Sequence, residues 1–421
     1  MASEDRWLIH CGAVWDGADP EPVLEADILV EGERITGIYS RRALGELPGI
    51  AQGAKVIDLG DLSVIPGLID AHLHLFGLDG SVAGAQMTWP LPYRALRAAA
   101  DLSRLLDAGF TSVRCMGSPV GPSLARAVNE GIIEGPRIVA AGEYICQRGG
   151  TWDPIGYPQW WAESLGMFAD GLDECRRRVR ERVRSGSAFI KIGASSGRPF
   201  HDRVHPWADG PDESRPNYTV EEMRVMVDEA HRAGLKVAAH AIGDAAVRNA
   251  VLAGVDTIEH GHGASNETFE LMADRGVVLV PTLSLPAMRA RRGPAGGLPP
   301  EQAAVWQRHL DRQLDSVARA RRCGVLIAAG TDFVGPPHTP FGENAVEFQL
   351  LVEAGMTARE ALLAGTVTGA RALGMESFVG TLQAGKLADL IAVRGRPWED
   401  IAAVRDVRFV MKGGRIVCRR T

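Results

Sequence analysis

Two histidines one residue apart, His72 and His74 in Ile69-Asp70-Ala71-His72-Leu73-His74, have the spacing to share one metal ion. On a β-strand, residues two apart point to the same face, so both imidazoles would aim together. The pair alone is weak evidence, because histidines that only hydrogen-bond at strand ends give the same pattern. Four further residues each close a short apolar run: Lys191 in Phe189-Ile190-Lys191-Ile192, His240, His260, and Asp332 in Ala329-Gly330-Thr331-Asp332. Lys191 is the oddest, since an ammonium between Ile190 and Ile192 is costly to bury without a partner. A salt bridge would account for it. So would uptake of carbon dioxide by the neutral amine, giving a carbamate whose two oxygens can bridge two divalent cations. Lysine suits this because burial lowers its pKa readily.

For these residues to meet, the runs they close must lie side by side. Short apolar runs at 64–69, 112–115, 138–141, 189–192, 237–239, 257–259, 278–280 and 326–329 alternate with helical patterns. That alternation is the signature of parallel βα units. Eight units predict an α/β fold, a closed (β/α)8 TIM-like barrel, and barrel enzymes carry their sites at the carboxyl ends of the strands. All six candidates fall there. The intervening segments 93–108 and 219–233 place apolar residues at helical spacing, and Thr219 before Glu222 reads as a capping box. The chain ends differ: runs at 7–9, 26–30, 34–39, 389–393, 409–411 and 415–418 are separated by glycine-containing turns. They predict a small β-sandwich domain, made from residues 1–62 and 373–421, that brackets a barrel at 63–372.

The bulk numbers agree with an enzyme-sized core. The chain has 421 residues, 46% hydrophobic and 23% charged, which leaves little room for long disorder. Its 49 glycines suit many tight strand-to-helix turns. A net charge of −6 offers no basic surface for phosphates, so nucleic acid is not an expected partner. The six cysteines are scattered without a CxxC pair, which indicates neither a disulfide framework nor a zinc ribbon. The first residues lack the basic-then-apolar order of a secretory signal, and no apolar stretch reaches the roughly 20 residues that span a bilayer. The expectation is a soluble, cytoplasmic protein with no membrane partner.

The sequence resembles the amidohydrolase superfamily, in the branch related to Xaa-Pro dipeptidases and imidazolonepropionase. The matching motifs are Pro66-Gly67-Leu68-Ile69-Asp70-Ala71-His72-Leu73-His74, Gly109-Phe110-Thr111-Ser112-Val113-Arg114, Lys191-Ile192, His240-Ala241, Thr257-Ile258-Glu259-His260-Gly261, Gly330-Thr331-Asp332 and Gly385-Lys386-Leu387-Ala388-Asp389-Leu390. They run in the family's order along nearly the whole chain. The resemblance implies that His72, His74 and Asp332 bind one metal, His240 and His260 a second, and carbamylated Lys191 bridges them. It implies a bridging hydroxide that attacks a C–N bond, with Asp332 passing the proton to the leaving nitrogen. Zinc is the default metal for such nitrogen and oxygen ligands. Relatives of this kind assemble into dimers or larger rings, which implies a homo-oligomer.

Substrate clues are thinner. Tyr218 resembles a tyrosine that holds the substrate carbonyl or carboxylate in related peptidases, and His338 resembles a position after the catalytic aspartate. His262, His205 and His201 are further histidines near the expected mouth, read as supporting or solvated. Gly149-Gly150-Thr151 matches a Gly-Gly motif whose next residue is usually histidine; Thr151 there puts ordinary dipeptidase recognition in doubt. Trp89, Trp152, Trp160, Trp161 and Trp207 fall in loops on the same rim, either lining an apolar pocket or packing the loops down. The stretch 195–216 reads as a lid, and Arg148, Arg198, Arg203 and Arg215 could meet a carboxylate or only solvent. The implied substrate is a small molecule: an N-acyl amino acid, a dipeptide, or an aryl amide or urea. A deaminase of the same superfamily is the alternative enzyme, but its glutamate after the strand-five histidine is replaced by Ala241-Ile242-Gly243-Asp244. A non-catalytic interaction protein would be expected to have lost ligands, and all six stand.

Overall fold

A computed structural model describes residues 5–45, 49, 51–82, 84–154, 157–195, 198–200, 203–205, 215–292 and 300–419. Its centre is a set of parallel strands: Leu68–Leu73, Phe110–Cys115, Arg137–Ala140, Ile190–Gly193, Val237–Ala241, Thr257–His260 and Val278–Val280. Strands covered on both faces read as near-continuous apolar runs, and every residue of Leu68–Leu73 and of Val237–Ala241 is buried, Asp70, His72 and His240 included. The first three strands form one ladder and the last four another. Bridging backbone contacts join them, Ile145 to Ile192 on one side and Leu279 to Ile327 on the other. Ala71 N donates to the Ala329 carbonyl (2.8 Å) and His74 N to that of Phe333 (2.8 Å), which joins Leu68–Leu73 to residues 326–333. Residues 326–329 make these contacts without forming a regular strand of their own.

The expected run 64–69 is two strands. Ser63–Pro66 lies in the small antiparallel sheet and Leu68–Leu73 in the parallel set, with Gly67 between. A Cβ at Gly67 would lie 2.2 Å from the Thr111 hydroxyl, so only glycine lets the chain cross here. Helix Leu91–Asp107 buries Ala98, Leu102, Leu105 and Leu106 against the strands, and helix Val220–Arg232 begins with the expected reciprocal bonds of Thr219 and Glu222.

Both chain ends pair into one eight-stranded sheet. Its order is Arg415–Arg419, Val407–Lys412, Leu390–Val393, Ser63–Pro66, Arg6–Val14, Val23–Glu31 and Arg34–Ser40, with Lys55–Asp58 beside Arg6–Val14. Ile9, Ile28, Val64, Leu390 and Phe409 share its buried core, so residues far apart in sequence form one unit. All six cysteines are free thiols, and among the described residues no helix is long and apolar enough to cross a membrane.

Candidate metal centre

His72, His74 and Asp332 converge on one point. Asp332 Oδ1 lies 3.3 Å from His72 Nε2 and 3.1 Å from His74 Nε2, and all three side chains are buried. His72 Nδ1 donates to Glu259 (2.6 Å) and His74 Nδ1 to the Gly117 carbonyl (3.0 Å). Each ring therefore turns an unprotonated Nε2 toward the carboxylate, the tautomer a metal ligand needs. Three ligand atoms within 4.8 Å of one another could hold a cation between them.

The local backbone is shaped to bring Asp332 in. Gly330 packs so closely on His72 that a Cβ would sit 2.9 Å from its backbone nitrogen. Thr331 N and Asp332 N then both reach the His72 carbonyl, at 3.0 and 2.7 Å. Buried Asp70 fastens the turn from below, accepting from His72 N, Thr331 N, the Thr331 hydroxyl and Asn344 Nδ2. Asp332 itself has φ 56°, and His260 and Thr282 have φ 71° and 57°. Left-handed backbone is costly for non-glycine residues and collects at functional sites.

The other three residues gather beside this cluster. The His240 and His260 rings stand 4.5 Å apart, and His260 is 5.2 Å from His72. The Thr282 hydroxyl donates to the Pro281 carbonyl, so it accepts from His260 Nδ1 (2.7 Å), again directing Nε2 inward. Strand alternation would send Glu259 and His260 to opposite faces, yet both approach His72; the left-handed turn at His260 re-aims it. His240 Nε2 and Lys191 Nζ are buried with no hydrogen-bond partner. Burial, only partly offset by Glu259 and Asp332, pushes the Lys191 amine down to about 8. Burial, with Lys191 beside one and His240 beside the other, holds His240 and His260 well below the usual imidazole range. The unmet bonding capacity of His240 Nε2 and Lys191 Nζ fits a role as ligands to divalent cations.

Beneath the cluster lies a pair that the sequence reading missed. Arg114 and Glu259 are fully buried and meet at 2.8 Å. Arg114 also donates to the Ala71 and Ala372 carbonyls and to Thr257 Oγ1, whose own hydroxyl donates to Glu259. Burial opposes the Glu259 charge, but Arg114 and the His72 bond outweigh it and hold the carboxyl down to about 2. The signal was present: Arg114 interrupts an apolar strand as Lys191 does. Glu259→Gln is expected to lower the unfolding free energy by about 3–5 kcal/mol, because it strands a buried guanidinium. Denaturant titration checks this, and a loss under about 1 kcal/mol would refute it.

The remaining candidates are placed as follows. Thr151 is buried; its hydroxyl donates to the Ser195 carbonyl and accepts from Asn217 Nδ2. Tyr218 is buried in the main core with its hydroxyl on the Ala169 carbonyl (3.0 Å). His338 is partly exposed, with its ring edge near Gly80. His262 is buried beside His309, 5.9 Å between rings. Trp152 lies 5.6 Å from the His240 ring and 5.7 Å from Lys191 Nζ, while Trp89 and Trp161 pack on Tyr93 and Tyr157 and Trp160 is exposed. Arg148 is held on the surface by Asp170. His201, Trp207 and most of the expected lid fall outside the described residues, as do the side chains of Arg198, Arg203 and His205.

Known proteins resemble this chain along nearly its whole length. The chain is 33% identical to ochratoxinase of Aspergillus niger over 435 aligned positions, covering 97% of this chain and 86% of that protein. The crystal structure of A. niger ochratoxinase superposes with a TM-score of 0.86 at 29% identity, covering 99% and 96% of the two chains. A crystal structure of a Xaa-Pro dipeptidase with bound methionine in the active site gives 0.84 at 32% identity, covering 98% and 99%. Such likeness implies a TIM-barrel fold, in keeping with the strand succession described above. The pattern of the amidohydrolase family matches residues 63–417, and the chain belongs to that family, as a hydrolytic enzyme acting on C–N bonds.

Proposed function

We propose that the protein hydrolyses an amide-type C–N bond at a binuclear metal centre on a (β/α)8 barrel of residues 63–372, beside a β-sandwich domain of residues 1–62 and 373–421. The observation that carries this reading is the buried, unpartnered Lys191 Nζ and His240 Nε2 next to the converging His72, His74 and Asp332. His72, His74 and Asp332 would hold one cation, His240 and His260 a second, and Lys191, as a carbamate made from carbon dioxide, would join them. Zinc suits this donor set. Bound cations would supply a water with a pKa near neutrality and polarise the scissile carbonyl.

The chain's own residues do the rest. Glu259 and Gly117 fix the His72 and His74 tautomers, and Thr282 fixes that of His260. Asp332 takes the proton of the attacking water at its carboxylate and delivers it to the departing nitrogen, which leaves only when protonated. Trp152 shields the Lys191 side of the site from water. His338 remains a candidate for substrate contact, while Thr151 and Tyr218, whose hydroxyls are engaged by backbone carbonyls, would serve the substrate only by bracing the surrounding loops. The names of ochratoxinase and of the Xaa-Pro dipeptidase direct the substrate toward an amide or dipeptide. Homo-oligomeric assembly and cytoplasmic residence belong to the same reading.

The test is elemental analysis of the purified protein, then a screen of N-acyl amino acids, Xaa-Pro and Xaa-basic dipeptides, aryl ureas and carbamates. Two metal equivalents per chain and turnover of an amide are expected. Ammonia released from a ring amine, with one metal per chain, would transfer the protein to the deaminases.

A further inference from the structure

Two strained turns beside the metal centre are tied to one short stretch of chain. Asp332, at φ 56°, follows Thr331, and Thr282, at φ 57°, carries the hydroxyl that accepts from His260 Nδ1. Left-handed backbone at such residues persists only where the surroundings over-determine it. Residues 344–347 supply that constraint on both sides.

Asn344 is buried. Its side-chain oxygen accepts from Gly342 N (3.0 Å), which leaves its amide to donate to Asp70 Oδ2 (2.7 Å) and to Thr331 Oγ1 (3.4 Å). Asp70 in turn accepts from His72 N and Thr331 N, so Asn344 completes the net that sets the half of the centre containing His72 and Asp332. Glu347, three residues on and also buried, faces the other half. Its Oε1 accepts from Leu283 N (3.1 Å), and its Oε2 from Ser284 N (2.7 Å) and the Ser284 hydroxyl (2.6 Å). Those are the two residues directly after Thr282. The two braces form one unit: Glu347 N donates to the Asn344 carbonyl (3.2 Å), and helix Val346–Glu353 is anchored by buried Phe348, Leu350 and Leu351. Burial, with Asp70 adding to it, pushes the Glu347 carboxyl up to about 8 against the Ser284 and Leu283 bonds. The neutral acid therefore predominates near pH 7, and glutamine matches it in size and charge. Glutamine nonetheless turns an NH2 toward one of the two backbone donors, which breaks the brace by geometry alone.

We propose that Asn344 and Glu347 are paired positioning residues, each setting the metal affinity of a different half of the centre, an assignment that rests on the binuclear reading above. Asn344 acts on the His72, His74 and Asp332 site through Asp70, and Glu347 on the His240 and His260 site through Thr282. The test is a titration of the zinc-loaded full chain with a chromophoric chelator, which reads the affinity of each zinc in turn. The unmodified protein is expected to release zinc in two steps. Glu347→Gln should weaken one step about 10- to 100-fold, the range typical for losing a group that orients a ligand, and leave the other unchanged. Asn344→Ala should do the reverse. Thr282→Val, which deletes the acceptor for His260 with little change of shape, should weaken the same step as Glu347→Gln, and the two together little more than either, because they act along one path. Ser284→Ala removes one of the three bonds to Glu347 and should give a smaller loss at that step, a readout that stands if Glu347→Gln does not fold. Equal weakening of both steps in each variant, the mark of a general loosening, would overturn the proposal, as would steps unchanged in Glu347→Gln or Ser284→Ala. A single zinc step in the unmodified protein would overturn the binuclear reading and the proposal with it.

Discussion

Lys191→Ala is expected to abolish hydrolysis, with kcat/KM falling about a thousandfold or more, which corresponds to roughly 4 kcal/mol of lost transition-state stabilisation. The side chain is fully buried, its amine meets no protein acceptor, and its pKa is lowered to about 8. Such an amine has a usable neutral fraction near pH 7, as carbamate formation requires, and the carbamate would supply the anion that two neighbouring cations need between them. Alanine removes that anion and leaves a cavity bordered by Trp152 and His240. In Lys191→Gly, formate, acetate or propionate should occupy that space and restore part of the rate, saturably in the added acid. Steady-state kinetics and metal analysis of both variants decide the matter. Undiminished turnover in Lys191→Ala would exclude the bridging role.

Asp332→Asn separates holding a metal from moving a proton. Asparagine keeps an oxygen at the position that now lies 3.1 Å from His74 and 3.3 Å from His72, and it leaves the backbone bonds to His72 and the Asp70 cradle intact. It cannot accept a proton at working pH. Metal content is therefore expected to persist while kcat drops by several decades, a loss larger than the roughly 10²–10⁴-fold typical of general base catalysis alone, because the same group also serves the leaving nitrogen. An Asn variant stripped of metal would instead assign Asp332 mainly to coordination.

Much of this site was legible from residue order, because parallel strands are short apolar runs and a polar residue that ends one lands on the rim. His72, His74, Lys191, His240, His260 and Asp332 were all found that way, and the structure gathers them. What escaped has a physical reason in each case. Glu259 and Arg114 are buried beside His72, so each reads alone as a misplaced charge until their 2.8 Å contact is seen. Tyr218 has its hydroxyl on a core carbonyl, a partner no spacing rule can supply. The left-handed turns at His260, Thr282 and Asp332 carry no side-chain signature, since the sequence offers glycine at none of them.

The junction between the Leu68–Leu73 strand and residues 326–333 has a consequence for biosynthesis. His72 and His74 leave the ribosome early, whereas Asp332 follows more than half the chain later, and the two are stitched together only when residues 326–333 reach this strand. A nascent or truncated polypeptide carries loose imidazoles but no assembled pocket. Any ion bound there would therefore act as a late clasp, and catalytic competence would arrive together with that final stitch.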